Sequence, residues 1–250
     1  MSCLLSIVIP AYNERRRLGP SLERIRDYAR RSEMRIEIVV VDDGSTDGTA
    51  ELVRKFADED DTLAGVCVVV NPINRGKGFS VRRGMLQARG DVVLMCDADE
   101  SAPIEQVDVL RRWLDRGFEV VIGSRDAPDA VLDPPQPILR RWMAWTFRFI
   151  RRGVLLGRFS DTQCGFKLFR GDAAREIFAR QTIEGWLFDC EVLGLAERLG
   201  YRIKELGITW RAHPESRVRP IRDGMRALRD LWVIRRRLSR PEFWDSPDAD

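Results

Sequence analysis

Val92-Val93-Leu94-Met95-Cys96-Asp97-Ala98-Asp99-Glu100 is an unbroken apolar run that ends in two carboxylates one residue apart. A short β-rich apolar run of this kind reads as a strand buried on both faces. In extended backbone, residues two apart point the same way, so Asp97 and Asp99 can converge on one target. Carboxylates that close repel unless a cation lies between them, and Mg²⁺ or Mn²⁺ favours such oxygen ligands. Taken alone, Asp-x-Asp also fits a solvated turn after a strand.

The same grammar recurs on either side. Leu4–Pro10 is an apolar strand followed by Ala11-Tyr12-Asn13-Glu14, and Ile36–Val41 is another, followed by Asp42-Asp43-Gly44-Ser45-Thr46-Asp47. Gly65–Val70 and Phe118–Ile122 read as further strands, the latter ending in Gly123-Ser124-Arg125. Amphipathic helical patterns separate them: 18–31, a helix capped by Ser45 or Thr46, one opening after Asn74-Arg75-Gly76-Lys77-Gly78, and 103–116. Strands alternating with helices predict an α/β fold, a mainly parallel sheet with helices on both faces. Ligands of such sheets bind at the carboxyl ends of the strands, where this chain gathers its polar residues.

Beyond Arg125 the pattern changes. A proline-rich loop (126–137) leads into Arg140–Phe159, where Trp142, Trp145, Phe147 and Phe149 stand among arginines. That mixture fits an interfacial helix lying on a membrane, or a buried helix pair with basic rims. Helices at 172–180 and 188–199, a strand at 203–210 and an Arg-rich amphipathic helix at 223–238 follow. The expected organisation is one domain over 1–238, with a nucleotide-binding half (1–125), an acceptor-binding half (126–238) and a flexible acidic tail (239–250).

Composition narrows the classes. With 42 basic and 39 acidic residues the net charge is +3, which gives no reason to expect a nucleic-acid partner. Five cysteines, odd in number and widely spaced, argue for reduced thiols in a cytoplasmic protein and against a disulfide framework or zinc site. No secretory leader is visible and no run approaches the roughly 20 apolar residues of a membrane span. The expectation is a protein peripheral on the cytoplasmic face of a membrane.

Three motifs in order, Ser6–Glu14, Val40–Asp47 and Asp97-Ala98-Asp99, resemble those of family 2 glycosyltransferases of the GT-A fold. Gly123-Ser124-Arg125, Asp161–Phe169, Phe188-Asp189-Cys190-Glu191 and Trp210-Arg211 to Ser216-Arg217-Val218 are similar to the branch that makes polyprenyl-phosphate sugars, both mannose and glucose. The resemblance implies transfer of a hexose from UDP-glucose or GDP-mannose to a polyprenyl phosphate, with inversion and with Mg²⁺ or Mn²⁺. It implies that Pro10, Tyr12 and Glu14 line the nucleoside pocket and that Val41 and Asp43 hold base or ribose. Asp97, Ala98 and Asp99 would form the metal and diphosphate site. Arg125, Arg140, Arg211 and Arg217 would meet phosphate oxygens, for which fixed guanidiniums are well suited. Asp161 would orient arginines by pairing, and Lys77 could contribute to phosphate binding.

One position departs from the pattern. Mannose-transferring relatives tend to place a glutamine where this chain has Ser101, which leaves the third metal ligand open and favours UDP-glucose. A phosphate acceptor needs no general base, since its second pKa is roughly 6, so Asp189 and Glu191 read as structural or positioning groups. A relative using a soluble or glycan hydroxyl would instead need a base near Asp189. A non-catalytic nucleotide-binding protein is the alternative from another class.

Overall fold

The computed structural model describes residues 3–133, 158–211 and 220–239. Strands β1 (Leu4–Ala11), β2 (Arg35–Asp42), β3 (Gly65–Val70), β4 (Val92–Cys96) and β5 (Val120–Ser124) alternate with helices α1 (Arg15–Ala29), α2 (Thr49–Glu59), α3 (Lys77–Gln87) and α4 (Gln106–Leu114). Then come β6 (Val131–Asp133), β7 (Phe166–Arg170), α5 (Gly171–Arg180), α6 (Phe188–Arg198), β8 (Ile203–Gly207), β9 (Thr209–Arg211) and α7 (Pro220–Leu238). Seven strands form one sheet in the order β3-β2-β1-β4-β7-β5-β8, and β6 pairs with β9 apart from it.

Alternation within each strand builds the two cores. Leu5, Ile7 and Ile9 of β1 face α1, α2 and α4, whereas Val8 faces the opposite layer of α3, α5, α6 and α7. The expected parallel sheet is present with one insertion: β7 runs antiparallel to both β4 and β5. The pattern does not announce β7, since Phe166-Lys167-Leu168-Phe169 carries a lysine inside an apolar run. The expected late strand also divides, β8 joining the main sheet and β9 leaving it for β6.

Strand order reverses at β1, which pairs with β2 on one side and β4 on the other. The register Val8↔Met95 sets Pro10 and Asp97 on either side of that crevice. Such a switch point is where open α/β sheets bind ligands. Helix α3 is drawn tightly onto the same strands by Gly84, where a Cβ would stand 2.5 Å from Val8 Cγ1 and 2.9 Å from Val41 Cγ2. Its first residue, Lys77, therefore arrives at the carboxyl edge.

Candidate active site

Residues after β1 and β2 are tied to each other by short hydrogen bonds. Asn13 takes a left-handed conformation (φ 53°), which asparagine tolerates better than most residues. Its backbone N–H donates to Ser45 Oγ (2.8 Å), and its Oδ1 accepts from the Thr46 N–H (2.8 Å). Ser45 and Thr46 therefore hold the crevice wall and do not cap the next helix. Asp47 meets the first turn of α2 instead, accepting from the Thr49 N–H at 3.0 Å. Glu14 makes a two-point ion pair with Arg17, at 2.6 and 2.7 Å, while Tyr12 is 40% exposed at the rim.

Asp43 is buried, and its carboxylate shapes the loop that follows β3. It accepts from Asn71 Nδ2 (2.8 Å), the Arg75 N–H (3.0 Å) and the Gly76 N–H (2.8 Å). Pro10 and Val41 sit in the strands below, with Val41 fully buried in the sheet. Pro10, Tyr12, Glu14, Val41 and Asp43 lie at or just beyond the ends of β1 and β2, on one side of the crevice.

Asp97 and Asp99 occupy the other side. The Asp97 N–H donates to the Gly165 carbonyl (3.2 Å), and the side chain lies directly against that glycine. Lys77 Nζ stands 2.6 Å from Asp97 Oδ1. Burial would lower the lysine's pKa, but Asp97, Asp189 and Asp99 outweigh it and hold the ammonium above its ordinary value. Asp99 is fixed by Ser101, whose hydroxyl and backbone N–H both donate to Oδ1, at 2.8 and 3.1 Å. Ala98 is buried and its carbonyl accepts from Ser21 Oγ. Glu100 adopts φ 51°, uncommon for this residue type, and its carboxylate is held by Arg24.

Arg125 does not project alone. Its Nε and one terminal nitrogen meet both oxygens of Asp161, at 2.6 and 2.9 Å, and its guanidinium lies 5.1 Å from the Trp210 ring centre. Burial pushes the Asp161 carboxyl up, yet Arg125 outweighs this and holds it down to about 2. The pair anchors the 161–165 segment, with the Ser160 and Asp161 N–H groups donating to Glu205. Arg211 is exposed, and its N–H donates to the Ser101 carbonyl (2.7 Å), so β9 abuts the Asp99 turn. Arg140 and Arg217, together with residues 140–157 of the aromatic-basic stretch and the acidic tail after 239, lie outside the described residues.

One further feature is not visible in the sequence pattern. Lys167, on β7, is fully buried and pairs with Asp189 while donating to the Cys164 carbonyl. Burial raises the Asp189 carboxyl, and Lys167 and Lys77 offset only part of this. Glu191 is likewise occupied, accepting from Thr182, Ile183 and Arg237. A lone lysine in an apolar strand is the signal that could have announced the buried pair.

Among the described residues no three His, Cys, Asp or Glu side chains form a metal cage. Two carboxylates at a strand end, one braced by a hydroxyl, nevertheless offer the hard oxygen donors that Mg²⁺ and Mn²⁺ prefer. Such ions commonly complete their shell with water and substrate phosphates.

The switch-point crevice, with hydrogen-bonded strand ends on one side and the Asp97 and Asp99 carboxylates on the other, has the architecture of the GT-A fold. The chain belongs to glycosyl transferase family 2, which it matches over residues 6–178. It is 36% identical over 221 residues to a dolichyl-phosphate beta-glucosyltransferase of Trichomonas vaginalis, covering 84% of this chain and 66% of that protein. The human dolichyl-phosphate beta-glucosyltransferase is 31% identical over 246 residues, covering 93% and 75%. The chain thus spans about two thirds to three quarters of these relatives' lengths. Among solved structures, mannosyl-3-phosphoglycerate synthase from Rubrobacter xylanophilus superposes with a TM-score of 0.68 at 21% identity, covering 98% of this chain and 77% of that one. Glucosyl-3-phosphoglycerate synthase from Mycobacterium tuberculosis with Mn²⁺, UDP-glucose and phosphoglyceric acid gives 0.68 at 21%, covering 93% and 78%.

Proposed function

We propose that this protein transfers glucose from UDP-glucose to a polyprenyl phosphate of the dolichyl type, with inversion at the anomeric carbon. The observation that carries the acceptor class is the state of Asp189 and Glu191, where a hydroxyl acceptor would need its base. Asp189 is buried against Lys167, and Glu191 is enclosed by four donors. Neither is poised to take a proton from a sugar hydroxyl. A phosphate monoester is largely dianionic at neutral pH and needs no such base. The names of the relatives, dolichyl-phosphate beta-glucosyltransferases, support both the glucose and the acceptor. Ser101 in the place of a glutamine agrees with a glucose donor over GDP-mannose.

In this reading the nucleoside lies over Pro10, Tyr12, Glu14, Val41 and Asp43. Asp97 and Asp99, with Ala98 between them, would hold Mg²⁺ or Mn²⁺ beside the diphosphate site. The chemistry such an ion supplies is charge neutralisation on the departing nucleoside diphosphate. Ser101 keeps the Asp99 carboxylate in one orientation, as outer partners of metal ligands commonly do. Arg125, oriented by Asp161, and Arg211 face the acceptor phosphate, with Arg140 and Arg217 assigned the same task. Attack by the phosphate oxygen then proceeds in line against the sugar carbon as the diphosphate leaves.

A lipid acceptor calls for a membrane surface. No helix of the described residues is long and apolar enough to cross a bilayer. Helix α7 supports peripheral contact: Leu231 and Ile234 pack inward, while Arg229, Trp232 and Arg236 share an exposed face. An exposed tryptophan among cations suits the headgroup layer of anionic lipid. The test is incubation of the purified protein with labelled UDP-glucose or GDP-mannose, with and without polyprenyl phosphate and Mn²⁺. Organic-extractable label from UDP-glucose that depends on metal and is abolished in Asp99→Ala supports the reading; label appearing only on a water-soluble acceptor contradicts it.

A further inference from the structure

The Lys77–Asp97 contact does something the transfer reaction alone does not require. Oδ1 of Asp97, one of the oxygens assigned to the divalent ion, is already engaged by an ammonium at 2.6 Å. The Asp97 carboxylate also packs directly against Gly165, filling the space that a side chain there would take. Lys77 is likewise confined: its side chain is 16% exposed and its Nζ lies 5.5 Å from the Trp186 ring centre. The neighbouring cation, Lys167, is committed to Asp189 and a carbonyl. Asp97 therefore has Lys77 as its near counter-charge.

We infer that Lys77 is a resident counter-ion that occupies the metal's place on Asp97 in the free protein and is displaced when donor and metal arrive together. The inference rests on the assignment of Asp97 and Asp99 to the divalent ion. An ammonium and a divalent cation cannot both sit in direct contact with one carboxylate oxygen without strong repulsion. Metal entering alone must break the Lys77–Asp97 pair and leave the ammonium confined beside a second cation. Metal entering with a nucleoside diphosphate brings anionic oxygens to which the ammonium can turn. Lys77 thereby couples the two binding events, a linkage that acts equally in both directions. Its effect on metal binding is exerted through Asp97.

The experiment is a Mn²⁺ titration of the purified protein followed by electron paramagnetic resonance of the free ion, with no sugar donor, in the absence and presence of saturating UDP. Wild type is expected to bind Mn²⁺ weakly alone, and Lys77→Met to bind it about tenfold tighter or more, because the competing charge is gone. The tightening produced by UDP should shrink correspondingly in Lys77→Met, while Lys77→Arg stays within about threefold of wild type. Lys77→Met binding Mn²⁺ no better than wild type, with UDP coupling intact, overturns the inference. A site that Asp99→Asn leaves unchanged in every protein, with or without UDP, overturns the metal assignment as well, and so separates the two failures. A second measurement needs no variant. The chain has four lysines, Lys55, Lys77, Lys167 and Lys204. In ¹³C-lysine-labelled wild type, the Lys77 side-chain resonance is expected to move on addition of diamagnetic Mg²⁺ with UDP. A resonance that stays fixed while Mg²⁺ and UDP bind contradicts displacement.

Discussion

Gly165→Ala removes no charge and no hydrogen-bonding group, yet the geometry predicts that it disables the site. A methyl there would stand 1.9 Å from Asp97 Oδ2 and 2.2 Å from its Cγ. Ordinary contact between such atoms is about 3.5 Å, so the carboxylate must retreat by roughly 1–1.5 Å. What it meets is the end of a side chain, which can move, so the fold survives with an overpacking cost of about 1–3 kcal/mol. The larger effect falls on chemistry, because a misplacement of about 1 Å at a reacting centre can cost on the order of 10²-fold in rate. The assay is kcat/KM with UDP-glucose and polyprenyl phosphate, beside a thermal melt. A loss of about a hundredfold with a melting shift of a few degrees is expected. Activity within threefold of wild type would refute the claim that Asp97 is held in place against Gly165.

Other perturbations test separate parts of the site. Asp161→Asn breaks a buried two-point pair and leaves Arg125 uncompensated, which should lower stability to urea by about 3–5 kcal/mol at neutral pH. Folding holds the Asp161 carboxyl down to about 2 from an ordinary 3.8, so its contribution is complete above that ordinary value and is lost as pH falls through 4 toward 2. Wild type should therefore converge on Asp161→Asn in acid, by about 2 kcal/mol, in urea melts taken across that range. Ser101→Ala frees the Asp99 carboxylate and should weaken Mn²⁺ binding measured with UDP present by about 10-fold or more, as loss of outer partners commonly does. Trp232→Ala combined with Arg236→Ala should reduce sedimentation with anionic vesicles and leave turnover of a short, water-soluble polyprenyl phosphate unchanged; equal sedimentation would remove α7 from the membrane surface.

Much of this architecture was legible in the residues. Apolar runs ending in Asn13-Glu14, Asp42-Asp43, Asp97/Asp99 and Arg125 mark the carboxyl ends of β1, β2, β4 and β5, and the structure gathers those ends on one edge. Strand β7 was hidden because Lys167 interrupts its apolar pattern, and its charge is answered by Asp189, 22 positions away. A pairing at that separation leaves no local periodicity. The same holds for Lys77 on Asp97 and for Gly165 beneath it, since each is a contact between segments far apart in the chain. The expected cap by Ser45 or Thr46 is absent for a related reason. A helix cap is a local expectation, and here the competing partner was Asn13, brought in by the pairing of β1 with β2.

The most direct test of the central claim is the structure of the product. Purified protein, UDP-glucose with its α-linked sugar, Mn²⁺ and a polyprenyl phosphate are combined, and the extracted lipid is examined by ¹H and ³¹P NMR. A β-linked glucosyl phosphate is predicted, formed by one displacement at the anomeric carbon. An α-linked product, or the absence of any glucosyl lipid while glucose is passed to a hydroxyl acceptor, would contradict it.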